Sequence, residues 1–313
     1  MTLSALAIAG PTACGKSDIA LQVATATNGE IVNVDSGSVY CDMDIGTAKP
    51  TPVMRAAVRH HLLDVCPPNE SFDAGKFCRL ATKAIRDIQA RGKLPILTGG
   101  TMMYFRALTA GLHQLPPSPP AVRQAIQKDW HTMGAAAIYQ RLKALDATTA
   151  ARLALTDKQR ITRALEIVTA TGKPLSAWLA DDKPVPQLDA RFVLLIPSDR
   201  KQLRQRIATR LEKMFTGGLV EETQQLIERW KLLPTAPPLR LAGYCQAAAF
   251  LRGEINNNTM RDKAYYATCQ LAKRQLTWLR HWPNTPTTVD PFSGCASARL
   301  MQLTTTITKT PKT

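Results

Sequence analysis

Short apolar runs alternate along the chain with longer stretches of helical period. The runs at 5–9, 31–34, 94–98 and 192–196 have the length of buried strands. Strand alternating with helix predicts an α/β fold, a parallel sheet core with helices on both faces. Two glycine loops, at 10–17 and at Gly99-Gly100, follow directly on strand runs. Both therefore fall at the carboxyl edge of the predicted sheet, where open α/β sheets bind their ligands.

The alternation stops at Leu115. PPSPP at 116–120 breaks regular structure, and from there to the second proline-bearing segment, DDKPVPQLD at 181–189, the period is helical throughout. The predicted organisation is a core whose first part spans 1–114, an inserted all-helical domain at 115–188, and a second core part at 189–283. A tail at 284–313, rich in threonine towards its end, is expected to be loose. In the second core part, Ser198 or Asp199 is placed to cap a helix carrying Arg200, Lys201, Arg204, Arg206, Arg210 and Lys213 and ending at Gly217-Gly218. Helices are also expected over LVEETQQLIERW and, with a glycine break, from 239 to about 282.

Charge narrows the partners. Forty Lys and Arg against 24 Asp and Glu give +16, a field that favours phosphate-rich ligands such as nucleic acid. Between 259 and 313 eight cations face two acids. The seven cysteines are scattered, with no C-x-x-C pair and no zinc spacing, as expected of reduced thiols in a cytoplasmic protein. MTLSALAIAG lacks a charged leader and runs straight into the glycine loop, so it reads as a first strand. No apolar run approaches the roughly 20 residues that cross a bilayer.

The strongest local signal is GPTACGKS. Gly10, Gly15, Lys16 and Ser17 match G-x-x-x-x-G-K-[ST] behind a strand, with Pro11, Thr12, Ala13 and Cys14 between them. Glycines let backbone N–H groups converge on phosphate oxygens, the following helix presents its positive end, Lys16 adds a mobile charge and Ser17 can ligate Mg²⁺. Asp35 ends the second strand, where it could hold magnesium through water, orient a nucleophile, take its proton, or simply cap a turn. Ser36 and Ser38 share that ambiguity. Thr101 brings a hydroxyl to the same edge after Gly99-Gly100. The acid that usually serves magnesium in nucleotidases is missing there, which weakens a simple hydrolase reading. A kinase using Asp35 as base, or an RNA-binding module without chemistry, would use the same loop.

Further out, Arg123 and the run Gln159, Arg160, Ile161, Thr162, Arg163 put cations on the inserted domain, either as a solvated helix face or as a contact surface. His60-His61 has no partner at ligand spacing, so a hydrogen-bonding role is expected of it. Lys273, Arg274, Trp278, Arg280 and Trp282 interleave cations with aromatics, suited to phosphate contact and base stacking or, for the tryptophans, to core packing.

Taken together, GPTACGKS, VDSGSVYCDMDIGTAKP, HHLLDV, LTGGTMMYFRAL, DKQRITRALEIVTATGKP, RLAGYCQ and LAKRQLTWLRHW resemble, in order up to about Trp282, the tRNA dimethylallyltransferase (isopentenyltransferase) family. MDIGTAKP and TWLRHW are far more specific than the phosphate loop. The resemblance implies transfer of a dimethylallyl group from its diphosphate to the exocyclic amine of adenosine 37, beside the tRNA anticodon. It implies diphosphate binding by residues 10–17, Mg²⁺ as cofactor with Ser17 as ligand, and Asp35 and Thr101 as catalytic residues.

By the same resemblance Asp35, Ser36, Gly37, Ser38, Thr101, Arg123 and the run from Gln159 to Arg163 would meet the tRNA anticodon stem-loop. So would Arg240, Leu241, Ala242, Gly243, Tyr244 and Cys245, and, nearer the end, Lys273, Arg274, Gln275, Leu276, Thr277, Trp278, Leu279 and Arg280. The target adenine would have to be turned out of the loop to reach the donor. Cys14, Asp42 and Cys245 depart from the family pattern, Cys245 standing where an arginine is expected. A cytoplasmic monomer with no membrane association is the corresponding expectation.

Overall fold

The computed structural model describes residues 3–283 and 286–294. The chain runs β1 (Leu3–Ala9), α1 (Lys16–Ala26), β2 (Glu30–Val34), α2 (Pro52–Ala57), β3 (His60–His61), α3 (Ala74–Ala90), β4 (Pro95–Gly99) and α4 (Met102–Ala110). Four helices follow: α5 (Pro120–Leu145), α6 (Ala147–Ala150), α7 (Lys158–Thr171) and α8 (Leu175–Asp181). It then returns through β5 (Leu188–Leu195), α9 (Arg200–Thr216), α10 (Leu219–Trp230), α11 (Tyr244–Leu251), α12 (Asn257–Arg280) and β6 (Thr287–Val289). Among the described residues no helix is long and apolar enough to cross a membrane.

The six strands form one parallel sheet in the order β3-β2-β4-β1-β5-β6. Side chains alternate across a strand, so each strand divides itself between two cores. From β1, Ala5, Ala7 and Ala9 join Val32, Val34, Leu97 and Leu194 under α3, α4 and α9 to α12. Leu6 and Ile8 join Ile31, Ile96, Val193 and Leu195 on the other face, under Ile19, Ala20, Val23 and Ala24 of α1. The chain leaves β1 for β2 on one side and later enters β5 on the other. The switch point of the sheet therefore lies at β1, directly below the glycine loop.

Two strands escape the sequence pattern. His60-His61 is too short for a period of two to register, and so is β6. Residues 284–313 were expected to be loose, yet Thr287–Val289 pairs with Val193–Leu195 and caps the sheet edge. Val289 is 1% exposed, which is what a strand at the end of an apolar face needs. The TTTITKTPKT segment lies outside the described residues.

The chain divides into two compact units, one drawn from the chain up to Thr109 and from Pro186 onward, the other Ala110–Val185. The second unit is helical among its described elements. Its core is Ile126, Ile138, Leu142, Ala150, Ile161, Ala164, Leu165 and Val168, apolar positions spaced at helical period on α5, α6 and α7. Within α5, Gly134 adopts φ 77, ψ 170 and breaks the helix in two. Asp199, and not Ser198, caps α9, accepting from the N–H groups of Lys201 and Gln202.

The start of β2 is pinned by charge. Glu30, 1% exposed, accepts from Arg91 Nη2 at 2.6 Å and Nε at 3.2 Å, meets His61 Nε2 at 2.6 Å and pairs with Lys93 at 3.3 Å. Burial works against the carboxylate, but the hydrogen bonds from Arg91, His61 and Lys93 outweigh it and hold its pKa at about 2, below the ordinary 4.5. A depressed acid stabilises the fold above its unfolded pKa and ceases to as pH falls through the folded one. Glu30→Gln should therefore cost about 2–3 kcal/mol in urea unfolding at pH 7. The difference from the parent should shrink as pH is lowered from 4.5 towards 2; an equal gap at both ends of that window would show that the charge is not responsible.

Candidate active site

The loop behind β1 is built to gather N–H groups. Ala13 (φ 62) and Gly15 (φ 91) are both in the left-handed region, and alternation of hand turns successive amides towards one concavity. Holding a residue with a Cβ there costs energy, the kind of local strain that collects at ligand clamps. α1 opens at Lys16 and adds its unpaired N-terminal amides and positive dipole end.

A single side chain from the far end of the sequence fixes this loop. Gln275 of α12 accepts from Thr12 N through Oε1 at 2.8 Å and donates through Nε2 to Gly100 O at 2.8 Å. It thereby bridges the loop after β1 to the loop after β4. A Cβ on Gly100 would stand 2.4 Å from Gln275 Nε2, so glycine is required by the clamp itself. The next residue, Thr101, accepts from Ser36 N at 3.0 Å and donates to Ser36 Oγ at 3.4 Å, binding the loop after β4 to the loop after β2. Asp35 Oδ1 accepts from Gly37 N at 2.8 Å and Ser38 N at 3.3 Å. One carboxylate oxygen thus caps the turn, and Oδ2 carries no hydrogen bond among the described residues.

The 310 Å³ cavity at this edge is lined by Lys16, Ser17, Asp35, Ser36, Thr101, Arg210 and Gln275, among others. Ala13, Lys16, Ser17, Ala48, Pro50, Arg210 and Met214 are shared with the lining of a second, 380 Å³ space that also meets Lys49 and Lys213. Lys16 folds back so that Nζ donates to Pro11 O at 3.3 Å. Burial draws its pKa down, and the nearby Arg210 adds to this. Burial likewise lowers Arg210, whose Nη2 donates to Thr47 O at 3.3 Å. Two desolvated cations at one sheet edge are poised for an anion. In the sequence Arg210 is one cation of a basic helix, and nothing in RKQLRQRIATRLEK distinguishes it from five neighbouring cations.

The wall opposite is residues 42–50, which also carries no regular structure of its own. Glu222 of α10 holds it: Oε2 accepts from Asp44 N at 3.0 Å and Ile45 N at 2.7 Å, while Oε1 accepts from Gly46 N at 3.2 Å and the Tyr244 hydroxyl at 2.5 Å. A Cβ on Gly46 would lie 2.5 Å from the Tyr244 ring. Lys49, with a side chain 1% exposed, donates to Tyr40 O and Asp64 and pairs with Asp44. Glu222 is a structural determinant of the site that no local signal disclosed, and Tyr244, expected at the tRNA surface, is instead a buried support of this wall.

The oxygens beside the cradle suit a hard cation carried with an anionic ligand. Ser17 exposes its hydroxyl at the first turn of α1, and Thr98 Oγ1, buried in the cavity wall, has no partner among the described residues. No cluster of three or more His, Cys, Asp or Glu that could hold a metal by itself occurs among the described residues.

The expected contact runs separate by burial. Tyr244, Ile161, Leu276 and Leu279 are core residues, since a contiguous run on a helix goes round it and only one face reaches solvent. Gln275 is the clamp described above. Lys273, Arg274, Thr277, Trp278 and Arg280 are exposed, with Arg106 stacked 5.9 Å from the Trp278 ring, whereas Trp282 packs on Phe105 and Phe192. Leu241 and Ala242 line the cavity, Arg240 donates to Thr235 O, and Cys245 is exposed. In the helical unit, Arg123 and Arg163 pair with buried Glu166, while Thr162 accepts from Trp130 Nε1 at 2.8 Å; Gln159 and Arg160 are exposed. His60 bonds to Val58 O and His61 to Glu30.

Sheet order and loop geometry define an α/β protein with a phosphate-loop turn at the carboxyl edge of its parallel sheet. A family model described as IPP transferase matches residues 38–282, and the chain belongs to that family. It is 49% identical over 287 residues to the tRNA dimethylallyltransferase of Azoarcus sp. (strain BH72), covering 89% of each chain. It is 46% identical over 283 residues to that of Thiobacillus denitrificans, covering 90% of each. Among solved structures it resembles the tRNA isopentenylpyrophosphate transferase of Bacillus halodurans, with a TM-score of 0.71 and 30% identity, covering 98% of this chain and 96% of that one. A eukaryotic dimethylallyltransferase acting on tRNA gives a TM-score of 0.83 at 27% identity, covering 99% and 81%.

If Gln275 is what holds the two loops together, Gln275→Ala leaves a loop amide and a carbonyl unpaired. The loss should be about 1–3 kcal/mol in urea unfolding, with weaker pyrophosphate binding by calorimetry. Unchanged pyrophosphate affinity would mean that the loop keeps its shape unaided.

Proposed function

We propose that this chain transfers a dimethylallyl group from dimethylallyl diphosphate to the N6 amine of adenosine 37 of tRNA, releasing diphosphate. The observation that carries the reading is the meeting, at one sheet edge, of an amide cradle with two desolvated cations and a half-free carboxylate. Family membership supports it, and so does the naming of the relatives as enzymes that modify tRNA.

In this reading the cradle amides, Lys16 and Arg210 bind the diphosphate. As the allylic C–O bond breaks, negative charge grows on the leaving oxygens, and donors already fixed around them need not reorganise. The adenine N6 lone pair forms the new C–N bond, and Asp35, through the oxygen not used in its turn, takes the proton that N6 loses. Ser36 and Thr101 line the approach of the base. Magnesium, held by Ser17, supplies further neutralisation of the diphosphate when bound. An adenine within a stacked anticodon loop cannot reach this depth, so the nucleotide must be turned out. The exposed cations of α12 serve the tRNA backbone, and Trp278 offers a stacking surface. Such a substrate implies work in the cytoplasm.

The test is to incubate the protein and Mg²⁺ with unmodified tRNA, labelled dimethylallyl diphosphate and labelled ATP. Prenylated adenosine supports the proposal; phosphoryl transfer would make the protein a kinase, and tRNA binding with neither product would make it a binding module.

Asp35→Asn keeps an oxygen for the turn and removes the base. It should lower kcat by roughly 10²-fold or more with the tRNA Kd unchanged; equal losses in both would reduce Asp35 to a structural cap. Replacing Lys273 and Arg274 together by Ala should weaken tRNA binding and reduce the slope of log Kd against log salt by about 1–2. A slope equal to the parent's would remove these residues from the phosphate contacts.

A further inference from the structure

Thr98, a residue of the cavity wall, carries a polar atom that the reaction outlined above leaves idle. Thr98 lies on β4 immediately before the glycine pair, in register with Ile8 of β1 and Asn33 of β2. The residue is 8% exposed, and its hydroxyl has no hydrogen-bond partner among the described residues. Native structures seldom leave such a group unmet, and an unmet hydroxyl on a residue of a cavity wall marks a place for a polar partner. Ser17 lines the same cavity. So does Asn33, whose Nδ2 already donates to Leu62 O at 3.2 Å and Asp35 O at 3.4 Å, leaving Oδ1 as its acceptor.

These oxygens are neutral, and that determines what they can hold. Phosphate-loop nucleotidases commonly place a magnesium-binding carboxylate at the end of a strand beside the loop. Here β4 ends in Thr98 and Gly99, while Lys16 and Arg210 outnumber the one carboxylate of the cavity lining, Asp35, and leave the cavity with a net positive charge that disfavours a free divalent cation. Magnesium keeps several of its waters and binds through phosphate oxygens together with few protein ligands. Those waters need acceptors, which hydroxyl and amide oxygens provide without charge.

We propose that Thr98 Oγ1, aided by Asn33 Oδ1, holds a water of the magnesium ion that enters with the donor diphosphate, Ser17 being the direct protein ligand. The metal then binds as magnesium diphosphate and hardly at all as the free cation. Thr98 is a positioning residue here, acting on the metal through its water. The inference rests on the diphosphate reading of the cradle given above.

The experiment is a binding measurement on the full chain, independent of turnover. Pyrophosphate is titrated by calorimetry with and without Mg²⁺, and Mn²⁺ is titrated by electron paramagnetic resonance with and without pyrophosphate. The parent should bind Mn²⁺ weakly alone and at least about tenfold more tightly with pyrophosphate present. Thr98→Val, which keeps shape and removes the hydroxyl, should weaken pyrophosphate binding about tenfold in Mg²⁺ and leave the metal-free affinity within about twofold. Thr98→Ser should restore most of that loss. Thr98→Asp should confer Mn²⁺ binding without pyrophosphate, a gain that a misfolded variant could not show.

Equal magnesium-dependent affinities for the parent and Thr98→Val would overturn the proposal, as would tight Mn²⁺ binding by the parent alone. Failure of the parent to bind pyrophosphate under any condition would instead bring down the diphosphate reading, and this inference with it.

Discussion

Lys16 and Arg210 stand at one sheet edge, both partly buried and with their charged forms disfavoured by that burial, and they repel each other. Such a pair does not assemble by attraction; it has to be held by the scaffold. Each of its supports is a neutral or remote group: the carbonyl of Pro11 for Lys16, the carbonyl of Thr47 for Arg210, and Gln275 for the loop that carries Lys16. Thr47 in turn sits on a segment that Glu222 and Lys49 keep in place. Asp35 is near enough to favour the charged form of both cations, yet forms no ion pair with either among the described residues. The site therefore keeps its attraction for an anion unspent.

That arrangement fits a reaction in which the protein works on a leaving group. The donors are fixed before the bond breaks, by backbone geometry and by hydrogen bonds running from α9, α10 and α12 to the loops after β1, β2 and β4. The parallel sheet brings those loop ends to one edge, and the helices behind it supply the groups that lock them. Turn and chemistry are divided within Asp35, where one oxygen serves the fold and the other is available to substrate.

Legibility in the sequence followed the range of the interactions involved. The glycine loop, the four longer strands and the helical period of the middle segment were readable because each depends on residues a few positions apart. β3 and β6 were not, being two and three residues long and defined by pairing with β2 and β5. Arg210 was seen as one charge among several, and Gln275 as part of a contact run, because their roles depend on Thr47 and Thr12, each more than 150 residues away. Ile161, Leu276 and Leu279 were grouped with surface neighbours, since a run of letters does not say which side of a helix faces the core.

The sequence by itself determined the fold class, the glycine loop behind the first strand and the family, because strand period, loop composition and motif order are local properties of the chain. Tertiary structure alone decided which cation meets the cradle, which glutamine clamps it and which hydroxyl is left unpaired. Those are facts of juxtaposition: they arise only when loops distant in sequence are brought to the same edge of the sheet and water is excluded between them.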